Sequence, residues 1–393
     1  MQRNLILINI YTYLINLVFL LPVLVPFYRD EIGLSFHQFL IGETVFAAVV
    51  ILCEVPTGWL ADIWGRKMTI LAASITALIG YACIGFAETF LHTVIGQGII
   101  GLAVSLQSGT LNALLYDTLL ACGRAQECRK REGLRHGINL YAVASGSVIG
   151  GVTYQIDHFL PVWLELGALA LAFIVGLFLI EPPRATKVVE KNPFHDVVET
   201  VNFALRSNRE IGVLVIMAAL IFSTTKLFLW AQQPYYEALH IPEGVYGFIL
   251  AGAMLCAGMA GHFGHGILPR RSGTQIMTIL FLIVVGICLL GGIAMTYGGF
   301  AVMLIGPSLW GFGWPRLQET INHAVGSERR ATILSSANLI IALAFIPFSL
   351  ILGWVEDLHG IATALLVQAG IIMLLGGLFA GWLQIRKVSA DTR

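Results

Sequence analysis

Charged side chains are scarce in this sequence. Asp, Glu, Lys and Arg make up 12% of its 393 residues, whereas soluble proteins carry roughly 25%. Apolar residues reach 57% and the mean hydropathy is +0.81, so in water the chain would expose large apolar patches. The 23 basic and 23 acidic residues balance and give no sign of the basic face that nucleic-acid-binding proteins need. We therefore predict an integral membrane protein whose partner is a lipid bilayer and which binds no nucleic acid.

The sequence lacks the residue patterns that are typical of several functional classes. The six cysteines are scattered and mostly lie inside apolar runs, which argues against a disulfide framework or a metal site. No Gly-x4-Gly-Lys-Ser/Thr loop for ATP appears, so energy would come from a gradient or a partner. No His/Asp or Ser/Lys constellation stands out at membrane depth, which argues against an intramembrane enzyme. Short loops argue against a receptor with a large ligand-binding domain. We expect no cofactor and no metal.

Twelve segments are long and apolar enough to cross a bilayer, which takes about 20 residues as a helix. We number them span 1 to span 12. Spans 1–6 are predicted at residues 4–28, 37–60, 68–88, 92–119, 134–157 and 161–180. Spans 7–12 are predicted at residues 210–239, 244–268, 274–297, 300–323, 331–356 and 361–386.

The longest polar stretch separates the two sets of six. It shows helical apolar spacing, which is typical of an amphipathic helix on a membrane surface. We predict an all-α membrane protein of two pseudo-symmetric six-helix bundles. The N-terminal bundle covers residues 1–181, a cytoplasmic linker with an amphipathic helix covers 182–209, and the C-terminal bundle covers 210–393.

The basic residues predict the orientation. If the N-terminus is cytoplasmic, 20 of the 23 Lys and Arg residues, Arg135 among them, fall in cytoplasmic segments, as the positive-inside rule requires. Both termini are then cytoplasmic. The short loops favour a bacterial inner membrane.

Residues 58–67, between spans 2 and 3, read GWLADIWGRK. They resemble the signature loop of the major facilitator superfamily, Gly-x-Leu-x-Asp-x-x-Gly-Arg-Lys, at every fixed position. The resemblance covers nearly the whole chain and implies the major facilitator fold and secondary active transport by alternating access. It also implies a conformational latch in which the loop arginine pairs with an acid at the end of span 4, here Asp117. The latch residues are then Gly58, Asp62, Gly65, Arg66, Lys67 and Asp117.

The chemistry of this loop can also be interpreted without the family. The two glycines would permit a tight reversal and a close approach of helices. Asp62 could face a helix N-terminus, and Arg66 could clamp a carboxylate. In the alternative interpretation, Arg66 and Lys67 are only topology signals.

Span 5 carries small residues, AVASGSVIGG at 142–151. They resemble the antiporter motif of drug-exporting relatives, Gly-x-x-x-Gly-Pro-x-x-Gly-Gly, with Gly146, Gly150 and Gly151 in place. Ala142 replaces the first glycine and Ser147 replaces the proline. The resemblance implies an exporter, and simple helix packing is the alternative.

Span 4 departs from the exporter pattern. Proton-coupled exporters usually carry an arginine three residues before a Gln-Gly pair. Here Val94 occupies that position before Gln97-Gly98. Any proton coupling must therefore use another residue.

Ionisable residues within spans are costly and mark functional sites. Lys226 lies in the middle of span 7 with no acid within a turn or two, so we expect it to face the central cavity. Glu43 in span 2 is a candidate proton carrier. Arg316 and Glu319 in span 10 are site candidates, although their i,i+3 spacing would also let them neutralise each other. Glu165 lies in the outer part of span 6, shallow enough to reach water.

Uncharged side chains near mid-depth complete the candidate site, with helix packing as the alternative for each. Asn16, Gln107 and Gln232 are polar candidates, and Tyr13 and Trp230 are candidate stacking surfaces.

These patterns predict a secondary active transporter that exports a small organic compound in exchange for protons. The compound is either drug-like or an anionic metabolite such as a siderophore. An uptake symporter is the alternative within the same class, and an intramembrane enzyme or receptor is the alternative from another class. The expected partners are the small-molecule substrate, protons and the bilayer, and the chain is expected to be a monomer.

Overall fold

The computed structural model of the protein describes residues 1–183, 209–264, 271–324 and 327–391. Within these ranges the chain is helical with connecting turns and has no β-strand, which confirms the predicted all-α class. The predicted amphipathic helix of the linker lies outside the described residues. So does the end of span 8.

The first six spans each have a helical counterpart. Their helices are Gln2–Ile15 and Leu24–Ile32 for span 1, Phe36–Trp64 for span 2, Arg66–Gly85 for span 3, Phe90–Gln107 and Thr110–Ala121 for span 4, Cys128–Tyr154 for span 5 and Leu160–Leu177 for span 6.

The remaining six spans are also accounted for. Their helices are Arg209–Ala238 for span 7, Glu243–Phe263 for span 8, Gly273–Ile293 for span 9, Tyr297–Met303 and Gly306–Ala324 for span 10, and Ser327–Asp391 for spans 11 and 12 together. The last helix contains one non-helical residue, Gly360, with φ +79°, and this residue divides it into the two predicted spans.

Eight helical stretches of the described chain are long and apolar enough to cross a membrane unaided. They cover every predicted span except 1, 5 and 10. Span 1 falls short because it is broken into helices of 14 and 9 residues. Span 5 is a single helix, Cys128–Tyr154, whose last 18 residues are uncharged but rich in glycine and serine.

Three predicted spans are not the continuous helices that we expected. Span 1 leaves the α-helical path between Ile15 and Leu24. Span 4 breaks at Ser108 and Gly109, where Gly109 has φ +69°. Span 10 is interrupted between Met303 and Gly306. Apolar composition alone does not mark such breaks, which membrane proteins tolerate where the freed backbone groups find other partners.

The chain forms two compact units. Unit 1 comprises Met1–Asp196 and Ile241–Leu255, and unit 2 comprises Val197–His240 and Cys256–Arg393. The division into bundles at 1–181 and 210–393 stays a prediction.

The core of unit 1 lies between spans 1, 3, 4 and 6. Ile8, Tyr11 and Leu114 are fully buried there. At one end of the core the buried Asn4 side chain closes span 1 onto span 6, donating to the Ile180 carbonyl at 2.7 Å and accepting from its N–H at 3.0 Å.

Unit 2 is organised around span 7, which packs against spans 9, 10, 11 and 12. Phe222 of span 7 contacts the rings of Trp310 and Trp314 in span 10 at 4.9 and 5.8 Å. Span 10 also lies very close to the second part of span 8, because a Cβ on Gly311 would overlap the carbonyl of Ala257.

Candidate functional site

The loop between spans 2 and 3 turns at a single residue. Gly65 has φ +107° and ψ 153°, a conformation that is essentially restricted to glycine. It ends one helix and begins the next at Arg66. Gly58 lies inside the helix Phe36–Trp64, with nothing within 4 Å of the position that a Cβ would take. The expectation that both glycines serve a reversal or a close approach is therefore wrong for Gly58.

The structure brings three of the predicted latch residues together. The Arg66 guanidinium lies 2.8 Å from the Asp62 carboxylate and 3.7 Å from that of Asp117. Asp117 belongs to the second helix of span 4. Arg66 therefore links the end of span 2 and the start of span 3 to span 4.

Glu181 joins this cluster, and sequence reasoning missed it. Its two carboxylate oxygens accept the backbone N–H groups of Arg66 at 2.9 Å and Lys67 at 2.7 Å. The first N–H groups of a helix have no partner within the helix and attract an anion. The Lys67 ammonium in turn donates to the Leu177 carbonyl at 2.8 Å. A helix that starts at Arg66 needs an acceptor for its first N–H groups, but the sequence alone does not show which residue supplies it.

The glycines of span 5 face other backbones at close range. A Cβ on Gly146 would lie 2.8 Å from the Val18 nitrogen, and one on Gly150 would overlap the Phe19 carbonyl. These contacts place span 5 against the unwound part of span 1. Gly151 packs against Gly247 of span 8, where its Cβ would lie 2.9 Å from the Gly247 nitrogen.

Glu165 stabilises the same unwound stretch. Its side chain accepts the backbone N–H groups of Phe19 at 2.7 Å and Leu20 at 3.4 Å. The residue is only 2% exposed, so the expectation that it reaches water is wrong. The carboxylate instead replaces the hydrogen bonds that the broken helix has lost.

Glu43 is buried between spans 2 and 4. It is 5% exposed and accepts a 2.7 Å hydrogen bond from the Gln97 amide, which also contacts the Tyr28 hydroxyl at 3.4 Å. Glu43 therefore lies within a packed polar cluster of unit 1.

A polar cavity of about 240 Å³ lies within unit 1. Two predicted site residues, Asn16 and Gln107, line it. The break in span 4 forms part of its wall, through Ser108, Gly109 and the first turn of the next helix. The full lining is Asn16, Val104, Gln107, Ser108, Gly109, Leu111, Asn112, Arg135 and Asn139.

Arg135 is the cation of this cavity. It donates a short hydrogen bond to the Asn112 side chain and stands one helical turn before Asn139. Sequence reasoning counted Arg135 only as a topology signal. Its i,i+4 spacing to Asn139 was the available clue. Tyr13 of span 1 does not line the cavity, and its hydroxyl lies 3.0 Å from that of Ser145.

Three candidates of unit 2 lie on span 7. The Lys226 ammonium sits 4.2 Å from the centroid of the Phe345 ring, a favourable cation–π geometry. Gln232 is buried and accepts a 2.7 Å hydrogen bond from the Tyr236 hydroxyl. Trp230 is also buried. Gln232 and Trp230 therefore occupy packed positions.

Arg316 and Glu319 form an ion pair at 3.1 Å. Arg316 also donates to the Gly264 carbonyl at 3.4 Å. This geometry is the one that mutual neutralisation would give.

Comparison with known proteins decides the family. The sequence model of the Major Facilitator Superfamily matches residues 6–349. The chain belongs to this superfamily. It is therefore a multi-pass membrane transporter and not an enzyme, as predicted.

Curated relatives match over parts of their length. An uncharacterized MFS-type transporter of Bacillus subtilis, YxaM, is 23% identical over 225 residues, which is 55% of this chain and 54% of the relative. The quinolone resistance protein NorA of Staphylococcus aureus is 25% identical over 177 residues, 45% of this chain and 44% of NorA. Human solute carrier family 2, facilitated glucose transporter member 10, is 34% identical over 80 residues, 20% of this chain and 14% of the relative. The chain thus matches about half or less of each.

Solved transporters share the fold over nearly the whole chain. The nucleoside transporter NupG superposes with a TM-score of 0.80 at 13% identity, covering 96% of this chain and 98% of NupG. A bacterial homolog of the human lysosomal transporter Spinster, in an inward-facing and unoccupied conformation, gives 0.72 at 15% identity, covering 96% and 94%.

Proposed function

We propose that this transporter exports a small organic compound in exchange for protons across a bacterial inner membrane, as a monomer with both termini in the cytoplasm. The observation that carries the proposal is the contact between spans 5 and 1. In this contact Gly146 and Gly150 lie directly on the unwound backbone at Val18 and Phe19. An antiporter-type motif would serve to make such a contact, because small residues let backbones meet.

The partial similarity to NorA supports export. NorA is by name a quinolone resistance protein, and the match covers 45% of this chain. A drug-like compound or an anionic metabolite such as a siderophore is the proposed substrate.

Glu43 is the proposed proton carrier. It is buried and accepts a hydrogen bond from the amide of Gln97. Burial penalises a charged carboxylate. A change in packing or hydration around this cluster would therefore make the Glu43 carboxyl take up or release a proton. Glu165 is less suited, because two backbone N–H groups hold its carboxylate.

A proton-coupled uptake symporter is the second candidate. The observation that favours it is Val94, which stands where proton-coupled exporters usually carry an arginine.

Transport into inside-out membrane vesicles separates the two. With a proton gradient imposed, we expect accumulation of a fluoroquinolone, ethidium or a catecholate chelator, and loss of accumulation on adding an uncoupler. Glu43→Gln should abolish the gradient-driven part, whereas Glu54→Gln, an exposed acid of the same span, should leave it intact. Accumulation only in right-side-out vesicles would establish uptake instead, and export that stops on sodium removal would replace protons by sodium.

A further inference from the structure

The polar cavity of unit 1 has a composition that the proposed function does not use. Its volume of about 240 Å³ is several times the roughly 30 Å³ that one water occupies in the liquid. It can therefore hold a group of several heavy atoms.

The charge of the cavity lining has one sign. Arg135 is the cation, its polar neighbours are amides and a hydroxyl, and no carboxylate is among the lining residues. Glu132, one turn earlier on the same helix, is exposed and is not part of the wall. The first turn of the helix Thr110–Ala121 also lines the cavity, and a helix N-terminus carries a partial positive charge.

Two buried polar atoms at this wall lack hydrogen-bond partners in the described part of the chain. They are Nε of Arg135, a donor, and Oδ1 of Asn139, an acceptor. A buried polar group without a partner is costly, and native proteins keep few of them. Asn112 accepts a hydrogen bond from Nη2 of the same guanidinium, so only Nε of Arg135 lacks a partner among the buried atoms of this side chain.

We propose that this cavity binds the oxyanion of a small organic acid, a carboxylate or a phosphate, as the transported substrate. The oxyanion accepts from the Arg135 guanidinium, which suits such groups because its donors are planar and parallel. A hydroxyl or amine next to the oxyanion donates to Asn139 Oδ1. This assignment rests on the proposed function only in taking the bound acid to be the exported compound.

Binding to the purified full-length protein in lipid nanodiscs tests the assignment. The thermal unfolding midpoint is measured with sodium lactate, propionate, inorganic phosphate and uncharged lactamide, at ionic strength held constant with chloride. We expect lactate to raise the midpoint in a saturable way, propionate to do so less because it lacks the hydroxyl, and lactamide to have no effect. A shift with phosphate and not with lactate would assign the oxyanion to a phosphate.

Variants locate the binding in the cavity. Arg135→Gln should weaken binding of the stabilising acid by about tenfold or more. Arg135→Lys keeps the charge but not the planar pair of donors, and should weaken binding less. Asn139→Ala should remove the preference for lactate over propionate. Arg131→Gln is the matched control, because Arg131 bonds Glu127 at 3.3 Å and does not line the cavity. In this control Glu127 keeps its hydrogen bond from Arg124, which is the main cause that holds the pKa of Glu127 below its ordinary value. The local structure around Glu127 should therefore be retained.

Two results would overturn the assignment. One is that no acid stabilises the parent beyond chloride at the same ionic strength. The other is that Arg135→Gln and Asn139→Ala both keep the full shift, in which case Arg135 only ties span 5 to Asn112. Because binding is measured without a gradient, it can fail while export in vesicles succeeds, and the reverse also holds.

Discussion

At the residue scale, the two glycines of the signature loop have different structural roles. Gly65→Ala should destabilise the protein by about 1–3 kcal/mol, because φ +107° with ψ 153° is strained for any residue with a Cβ. Gly58→Ala should be neutral or slightly stabilising, because Gly58 lies in a helix with open space at the Cβ position. The midpoints of thermal unfolding in the same detergent provide the comparison. Equal midpoints for the two variants would contradict the assigned roles.

Lys226 is the residue whose function is easiest to separate into alternatives. An ammonium in the middle of a span costs about 2.5–3.5 kcal/mol on insertion scales, and here it lies over the Phe345 ring. If Lys226 docks an anionic substrate, Lys226→Arg should retain substantial transport and Lys226→Ala should chiefly raise the apparent KM. If it balances a proton-carrying acid, both changes should uncouple transport from the proton gradient.

Phe345→Leu is the matched control for Lys226. It removes the ring and keeps an apolar side chain of similar size. A purely structural cation–π contact would make Phe345→Leu and Lys226→Ala equivalent in both stability and transport. That equivalence would exclude both functional roles.

At the scale of helices, the contact between spans 5 and 1 leaves no room for a side chain at Gly150. Gly150→Ala would drive a methyl group into the Phe19 carbonyl, and overpacking of this kind costs typically 1–3 kcal/mol. We expect a lower unfolding midpoint and a loss of vesicle transport. Gly167→Ala in span 6, where nothing lies within 4 Å, is the control and should behave like the parent. A Gly150→Ala protein with normal stability and transport would show that the close approach is dispensable.

The helical content was predictable because twelve apolar segments and a ten-residue loop motif are local features of the sequence. The break in span 1 was not, because the group that stabilises it lies far away in the chain. Glu165 bonds the freed backbone at Phe19 from 146 residues away. Glu181 caps the helix at Arg66 from 115 residues away. No local pattern records either contact.

The candidate site was predictable in part for the same reason. Asn16 and Gln107 were identified as polar residues near mid-depth and do line the cavity. Arg135 was missed because it lies beside a basic loop. The positive-inside rule already accounted for a positive charge there, so Arg135 was not considered as a site residue. Its contact with Asn112 on another span becomes visible only when the helices are assembled.

At the scale of the whole molecule, the latch cluster should affect the transport cycle more than stability. Ion pairs near a surface contribute about 0–1 kcal/mol each. Asp62→Asn leaves the Asp117 carboxylate 3.7 Å from Arg66, and Arg66→Ala removes two such pairs. Asp62→Asn and Arg66→Ala should therefore express and unfold much like the parent. Transport should nevertheless fall severalfold. A contact that is made in only one conformation of the cycle contributes its full energy to the free-energy difference between the conformations, so its loss shifts their populations.

The double variant Asp62→Asn/Asp117→Asn makes this prediction sharper. If the two carboxylates act through Arg66, the double variant should lose no more transport than Arg66→Ala does alone. Arg124→Gln provides the control, since it breaks another close ion pair, 2.6 Å to Glu127, in the loop between spans 4 and 5. The control should transport normally. Full transport by Asp62→Asn and Arg66→Ala at equal protein level would mean that the basic residues of this loop only orient the chain in the membrane.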